Sequence, residues 1–408
     1  MPEIVGCAPG PRASPWTRQV ALGTDMAPLR IGINALYLIP GGVGGTEIYL
    51  RGLLAALVEI DAVNRYFVFT NRETGPDLAP AAPNFTIVPQ GVRAVSRPAR
   101  ILWEQTILPF HVVRRKLDVM LNPGFTAPLV CPCPQVTVFH DLQHKRHPEY
   151  FRWFDLPFWN FFLFWSARIS SLVLADSEAT AADLRTYYRL PEAKLRVVPL
   201  GVDAAFAQIA LRRRPERFLL SVATLHPHKN LDGLLRAFAI FRRSHPDFRL
   251  VVCGMHGFFT GPLHELREHL GLREAVDFPG WIPREDLHEL YARAWAFVYP
   301  TLFEGFGLPV LEALAAGVPT ACSSIEPVAG IAGDAALQFD PRDSIAMAAA
   351  MALIADDEEI RQRLAAEGPR RAAQFSWRAT AERTLEALVY SYLSATTGST
   401  RIARRDGG

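Results

Sequence analysis

Long apolar runs are missing from this 408-residue sequence. None reaches the roughly 18–20 uninterrupted apolar residues that a bilayer-spanning helix needs, which argues against a membrane span. An excess of one charge is missing as well: 43 Lys and Arg face 41 Asp and Glu, a net +2, so bulk charge gives no case for a nucleic-acid binder. Cysteine is scarce and odd in number (Cys7, Cys131, Cys133, Cys253 and Cys322). Such a scattered set is no disulfide framework and points to a reducing compartment. Cys131-Pro-Cys133 has no second Cys/His pair near it and does not read as a zinc site. Lysine is the rarest basic residue: only Lys116, Lys145, Lys194 and Lys229 occur among 43 cations, so the place of each is informative. What is abundant is core. Hydrophobic residues make up 50% and charged residues 21%, which excludes global disorder, and the length suits two domains or three.

Residues 1–28 carry proline, glycine and scattered charge without the apolar core of a signal peptide. They are expected to be a disordered lead-in, with Met26 an alternative start. From residue 29 short apolar, β-branched runs alternate with helical periodicity. The pattern predicts strands at 31–35, 66–70, 85–88, 119–122, 136–139, 172–175 and 195–198. It lapses around 201–215 and resumes with strands at 218–223, 249–253, 276–278, 296–299, 319–322 and 336–339. Helices are expected at 46–60, 231–243, 263–270, 284–292, 309–316 and 344–355. This βαβ alternation predicts two doubly wound α/β domains joined near residue 205, with a ligand cleft at the C-terminal ends of the strands.

Four sequence clusters sit at such strand ends. Gly41-Gly42-Val43-Gly44-Gly45-Thr46-Glu47 follows the first strand and precedes a helix, where glycine amides and a helix start receive an anion; Thr46 is the expected N-cap. It matches neither Gly-x-Gly-x-x-Gly nor a P-loop. His140-Asp141 closes an apolar strand, with Asp141 in reach to orient the imidazole. Leu225-His226-Pro227-His228-Lys229-Asn230 brings an ammonium to a helix that Asn230 can cap, a simple phosphate site. In Pro300–Ala313, Gly305 and Gly307 expose backbone donors before a helix. Glu304 in that loop and Glu312 one turn into the helix can both accept from the hydroxyls of one ligand. Each cluster alone also reads as an ordinary turn or loop.

The Glu-x7-Glu frame Glu304–Glu312, with Gly-Phe-Gly-Leu-Pro inside it, resembles the donor signature of family-4 retaining glycosyltransferases of the GT-B fold. Gly41–Thr46, His140-Asp141, Ser177-Glu178-Ala179-Thr180, Pro199-Leu200-Gly201-Val202-Asp203 and the Lys229 loop are similar to that family and in its order, over about residues 30–390. The resemblance implies an acceptor-side domain at 29–205, a nucleotide-sugar domain at 206–375, a last helix 376–393 returning to the first domain, and a disordered tail 396–408.

It also implies roles. Lys229 would bind the donor diphosphate, Glu312 the ribose and Glu304 the sugar hydroxyls. Amides around Phe306, Gly307 and Leu308 would meet sugar and phosphate; Gly44 and Gly45 would lie under the diphosphate, and His140 beside the sugar. Thr224 stands where many members have arginine, and either Lys229 with the helix termini suffices or a group such as Arg146 helps. The reaction implied is metal-independent hexosyl transfer from a nucleotide sugar, GDP-mannose favoured, to a glycan or lipid-linked acceptor in polysaccharide biosynthesis, with no cofactor and no nucleic-acid partner. The sequence has no Asp-x-Asp motif. A UDP-glucose or other UDP-sugar donor, a UDP-sugar 2-epimerase and a non-catalytic sugar-nucleotide binder are the alternatives.

Residues 150–165 hold ten aromatics, too short and interrupted to span a bilayer. They read either as a buried inter-element helix or as an apolar surface for membrane or a lipid-linked acceptor, with Arg93, Arg97, Arg100, Arg114 and Arg115 as attractors of anionic headgroups. A cytoplasmic enzyme at the inner face of the cell membrane is the expectation.

Overall fold

The computed structural model describes residues 27–405 apart from Val43, His256 and Phe258, and residues 398–405 by backbone alone. Most of the expected lead-in therefore lies outside the described residues.

The first sheet is built from β1 (Arg30–Ala35), β2 (Arg65–Thr70), β3 (Phe85–Pro89), β4 (Val119–Asn122), β5 (Gln135–Phe139), β6 (Leu172–Ala175) and β7 (Leu195–Val197), in the order β3-β2-β1-β4-β5-β6-β7. The second holds β8 (Glu216–Val222), β9 (Arg249–Cys253), β10 (Val276–Gly280), β11 (Ala294–Tyr299), β12 (Thr320–Ser323) and β13 (Leu337–Phe339), in the order β10-β9-β8-β11-β12-β13. Every pairing is parallel, as in Ile33 with both Val68 and Leu121. β4, β5 and β6 are buried along their whole length, as strands covered on both faces must be. Strand order reverses between β1 and β4 and between β8 and β11. Those two switch points are where an open parallel sheet leaves a crevice. The glycine loop, the Lys229 loop and the Glu304 loop leave β1, β8 and β11.

Helix Leu231–Phe241 buries Leu231, Leu234, Leu235, Phe238 and Phe241, the apolar face its spacing gives. The last helix, Trp377–Arg405, lies along helix Gly45–Ile60 of the first domain. Gly52 and Gly201 make room for it: a Cβ would fall 2.3 Å from the Trp377 ring at the first and 2.1 Å from the Trp377 nitrogen at the second. The Thr380 hydroxyl donates to the Pro199 carbonyl at 2.8 Å.

Several local expectations fail for physical reasons. The last helix continues past 393, since Ser394–Arg405 hold no proline and one glycine. Gly44, not Thr46, is the N-cap of helix Gly45–Ile60, at φ 56°, a conformation that glycine reaches without strain. Asn230 is left-handed at φ 54° and does not cap with its side chain; its amide donates to the Pro300 and Pro341 carbonyls at 3.0 and 2.6 Å.

Helix Arg97–Arg115 is absent from the expected set because its inward face carries charge. Arg100 and Glu104 are both buried, 3.7 Å apart, so Arg100 is no attractor of headgroups. The buried reading of the aromatic segment also fails. Helix Leu156–Ile169 buries only Leu163, Ser166 and Ala167, whereas Trp153 is 81% exposed and Phe154, Phe161 and Trp165 face solvent. Among the described residues no helix is long and apolar enough to cross a membrane.

Candidate active site

The site lies where the loops of the two switch points meet. Behind β8, the turn Pro227–Lys229 is stitched to the loop after β11: the His228 carbonyl accepts from the Leu302 amide at 2.8 Å and the Thr301 hydroxyl at 3.1 Å. This brings the Lys229 ammonium onto the Glu304 carboxylate, and Tyr299 donates its hydroxyl to the same oxygen at 2.5 Å. Both members of the ion pair are nearly buried, at 15% and 11% side-chain exposure. An ammonium so enclosed interacts strongly with any further anion that enters, because little water screens it.

Glu312 lies deeper, in helix Leu308–Ala315, and takes a hydrogen bond from the Tyr291 hydroxyl at 3.3 Å. Burial pushes its carboxyl up to about 7, against the opposite pull of the Arg284 guanidinium. Gly307 caps that helix at φ 113°, and Phe306 and Leu308 are buried beside it.

Across the gap stands the glycine loop. A Cβ at Gly41 or Gly45 would meet nothing within 4 Å, and one at Gly44 would meet only Met255 of the second domain, at 4.0 Å. The first amide of this loop is engaged: Gly41 donates to the Glu47 carboxylate at 2.7 Å. Thr224 is half-buried at the end of β8. Arg146 does not reach the gap, because its guanidinium is held by both carboxylate oxygens of Asp183 at 3.0 and 3.1 Å.

His140 is buried at the end of β5. The expected partner, Asp141, turns away and accepts from the Gln143 amide at 2.9 Å. Its carboxyl is raised by burial, with Glu304 adding to the effect and the His140 and Lys229 cations opposing it. Asp176 takes the imidazole instead: Nδ1 lies 2.6 Å from its carboxylate, and Nε2 lies 2.9 Å from the Pro123 carbonyl. The sheet register explains the choice. Phe139 pairs with Ala175, so His140 and Asp176 are the next residues on adjacent strands, whereas neighbours in one strand point to opposite faces. An acid directly after the apolar run 172–175 was the available signal. Burial opposes charge on His140, but the Asp176 carboxylate raises its affinity for a proton overall.

The two domains touch here. The Gly305 carbonyl accepts from the Ser177 hydroxyl at 2.6 Å, and a Cβ on Gly305 would fall 1.8 Å from the His140 carbonyl oxygen. Gln143 and Tyr150 of the first domain meet His228 and His226 of the second, with Gln143 Nε2 2.9 Å from His228 Nδ1. Burial, with Lys229 alongside, pushes His228 down to about 2 and His226 below its ordinary range, which favours the neutral form of both rings.

Two parallel sheets with their switch-point loops meeting at one gap define a two-domain α/β architecture, and comparison with known proteins gives its class. Residues 43–206 match the family model "Glycosyltransferase Family 4" and residues 204–371 match "Glycosyl transferases group 1". The chain is 31% identical over 268 residues to the O-antigen chain mannosyltransferase B of Escherichia coli, covering 62% of this chain and 69% of that protein. It is 30% identical over 261 residues to the MMP alpha-(1->4)-mannosyltransferase of Mycolicibacterium hassiacum, covering 61% and 63%. Sucrose-phosphate synthase from Thermosynechococcus elongatus shares the fold at TM-score 0.71 and 20% identity, over 90% of this chain and all of that one. The chain belongs to the group 1, family-4 glycosyltransferases of the GT-B fold and is a hexosyltransferase.

Proposed function

We propose that the protein transfers mannose from GDP-mannose, with retention of configuration and without a metal, to a glycan or lipid-linked acceptor. The observation that carries this reading is the Lys229–Glu304 pair at the meeting of the two switch points. Two mannosyltransferases among its relatives support the choice of sugar.

In this reading the donor diphosphate enters beside the Lys229 ammonium and the amides that open helix Leu308–Ala315, and Glu312 accepts from the ribose hydroxyls. Glu304, held on Lys229 and Tyr299, accepts from hydroxyls of the transferred sugar. Gly44 and Gly45 admit the diphosphate from the opposite side because no side chain fills that space. Cleavage of the glycosyl–phosphate bond builds negative charge on the leaving oxygen, which Lys229 and the amides stabilise from fixed positions. The acceptor hydroxyl attacks the anomeric carbon from the same face, and its proton passes to the leaving phosphate oxygen. His140, with both ring nitrogens engaged within the first domain, forms a fixed wall on the sugar side rather than a proton carrier.

The exposed aromatics Trp153, Phe154, Phe161 and Trp165, with Arg114, Arg152 and Arg168 exposed on the same domain, suit contact with an anionic lipid surface. This supports a lipid-linked acceptor met by the first domain at the inner face of the cell membrane.

A panel of GDP-, UDP- and ADP-sugars tests the reading, scored by melting temperature, by slow hydrolysis without acceptor and by the anomeric configuration of the product in EDTA. Stabilisation and turnover by GDP-mannose with α-product are expected. Turnover of UDP-sugars alone, epimer formation, or binding without turnover would replace it.

A further inference from the structure

The five residues that follow β6 bond to both halves of the site. Asp176 takes the His140 Nδ1 at 2.6 Å, and the other side of the ring is fixed by the Pro123 carbonyl at 2.9 Å. A carbonyl only accepts, so Nε2 carries a proton; the proton between Nδ1 and Asp176 is shared by two groups whose proton affinities are both raised, Asp176 by burial and His140 by the carboxylate beside it. The ring is enclosed by Tyr49 and Phe125 in T-shaped contacts, with ring centroids 4.9 and 5.1 Å away. Asp176 Oδ1 is buried and has no hydrogen-bond partner among the described residues, so the contact with His140 is the one that holds this carboxyl group.

One residue on, the Ser177 hydroxyl donates to the Gly305 carbonyl at 2.6 Å. The Thr180 hydroxyl lies 3.3 Å from that same carbonyl and 3.2 Å from the carbonyl of His140. Ser177 also caps its own helix, accepting from the Thr180 amide at 3.1 Å. Gly305 directly follows Glu304, so these hydrogen bonds tie the segment to the loop that carries Glu304.

We propose that Asp176, Ser177 and Thr180 are positioning residues for the transfer step, setting His140 of one domain against Glu304 of the other. Asp176 acts through His140 by fixing its ring and the proton they share. Ser177 and Thr180 act through Gly305 by holding the loop of the second domain against the His140 backbone when the domains meet. Among the described residues no hydrogen bond or ion pair joins the segment to Lys229 or Glu312, so nucleotide affinity and turnover are expected to separate. The assignment rests on the transfer reading above, but its spectroscopic part needs no donor.

The test uses the full chain as Asp176→Asn, Ser177→Ala, Thr180→Val and, as the conservative control, Thr180→Ser. In nitrogen-15 histidine spectra the wild-type His140 ring is expected to show two protonated nitrogens at pH 8, and Asp176→Asn to show one. Turnover is expected to fall about 100-fold in Asp176→Asn and about tenfold or more in Ser177→Ala and Thr180→Val, as for misplacement of a reacting group by a fraction of an ångström to 1 Å. Thr180→Ser is expected to keep near wild-type turnover, and the affinity for free nucleoside diphosphate to stay within twofold in all four. A neutral His140 ring in the wild type, unchanged turnover in the alanine and valine variants, or equal losses of nucleotide affinity and turnover would overturn the proposal. Failure of every sugar nucleotide to react with the wild type would instead count against the transfer reading, while the ring spectra would still decide the role of Asp176.

Discussion

The Glu304 carboxylate receives both the Lys229 ammonium and the Tyr299 hydroxyl on one oxygen, Oε1. In the proposed donor complex the second oxygen is the one left to meet a sugar hydroxyl. The ammonium has three protons, only some of which Glu304 and Tyr299 engage, so Lys229 can hold carboxylate and phosphate together. Glu304→Gln is expected to keep most of the affinity for a nucleoside diphosphate while lowering turnover about 100-fold or more. Calorimetric titration beside steady-state kinetics separates the two; parallel losses would show that Glu304 serves only to place Lys229.

Glu312 is expected to make the protein's stability and its nucleotide affinity depend on pH in opposite senses. Its carboxyl is held at about 7 in the fold, against an ordinary 4.5. Between those values the folded chain retains a proton that the unfolded chain releases, so stability is present at low pH and falls as pH rises through the window, by roughly 3 kcal/mol for this group. Ribose hydroxyls donating to the carboxylate favour the ionised form, so nucleotide binding is expected to release a proton and to weaken below pH 7. Urea titrations at pH 5 and pH 8 and calorimetry in buffers of different ionisation enthalpy read both effects. Glu312→Gln should flatten them.

Gly305→Ala inserts a methyl 1.8 Å from the His140 carbonyl oxygen, a backbone atom with no room to yield. The clash is confined to the contact between two loops, so the variant should fold while the Gly305 loop lifts off the first domain. Turnover is expected to drop about 100-fold with nucleotide affinity retained. Small-angle scattering should report a larger radius of gyration, and an unchanged radius with unchanged turnover would contradict the contact.

Phe161→Ser together with Trp165→Ser removes two side chains that are 49% and 44% exposed, with little effect expected on the core. If this face meets lipid, binding to anionic vesicles should fall tenfold or more, since each large apolar side chain contributes about 1.5–3 kcal/mol when buried. High salt should weaken wild-type binding as the arginines are screened. Co-sedimentation at low and high salt checks both.

The strands and their two-domain grouping were legible because each apolar run is short, β-branched and bounded by turn residues, and because parallel sheets buried on both faces write that pattern plainly. The positions of Lys229, Glu304 and Glu312 were legible for another reason: the first two lie in loops at strand ends, and Glu312 lies one turn into the helix that follows. Asp176 escaped because its partner is set by register between β5 and β6, which no local pattern encodes. Helix Arg97–Arg115 escaped because Arg100 and Glu104 place charge on its inward face. The outward aromatic face escaped for the converse reason, since hydrophobicity alone does not say which side of a helix meets the core. Asn230 and Thr46 carry good capping chemistry, yet tertiary carbonyls and a glycine N-cap decide those two helix starts.

The most direct measurement is calorimetric titration of GDP into the wild type and Lys229→Ala. The Lys229 ammonium, enclosed between the two domains, is expected to supply a charge-assisted contact to the diphosphate worth about 1.5–3 kcal/mol, so that the variant binds roughly 10- to 150-fold more weakly. Equal affinity in the two proteins, or no binding of any nucleoside diphosphate to the wild type, would contradict the assignment of this gap as the donor site.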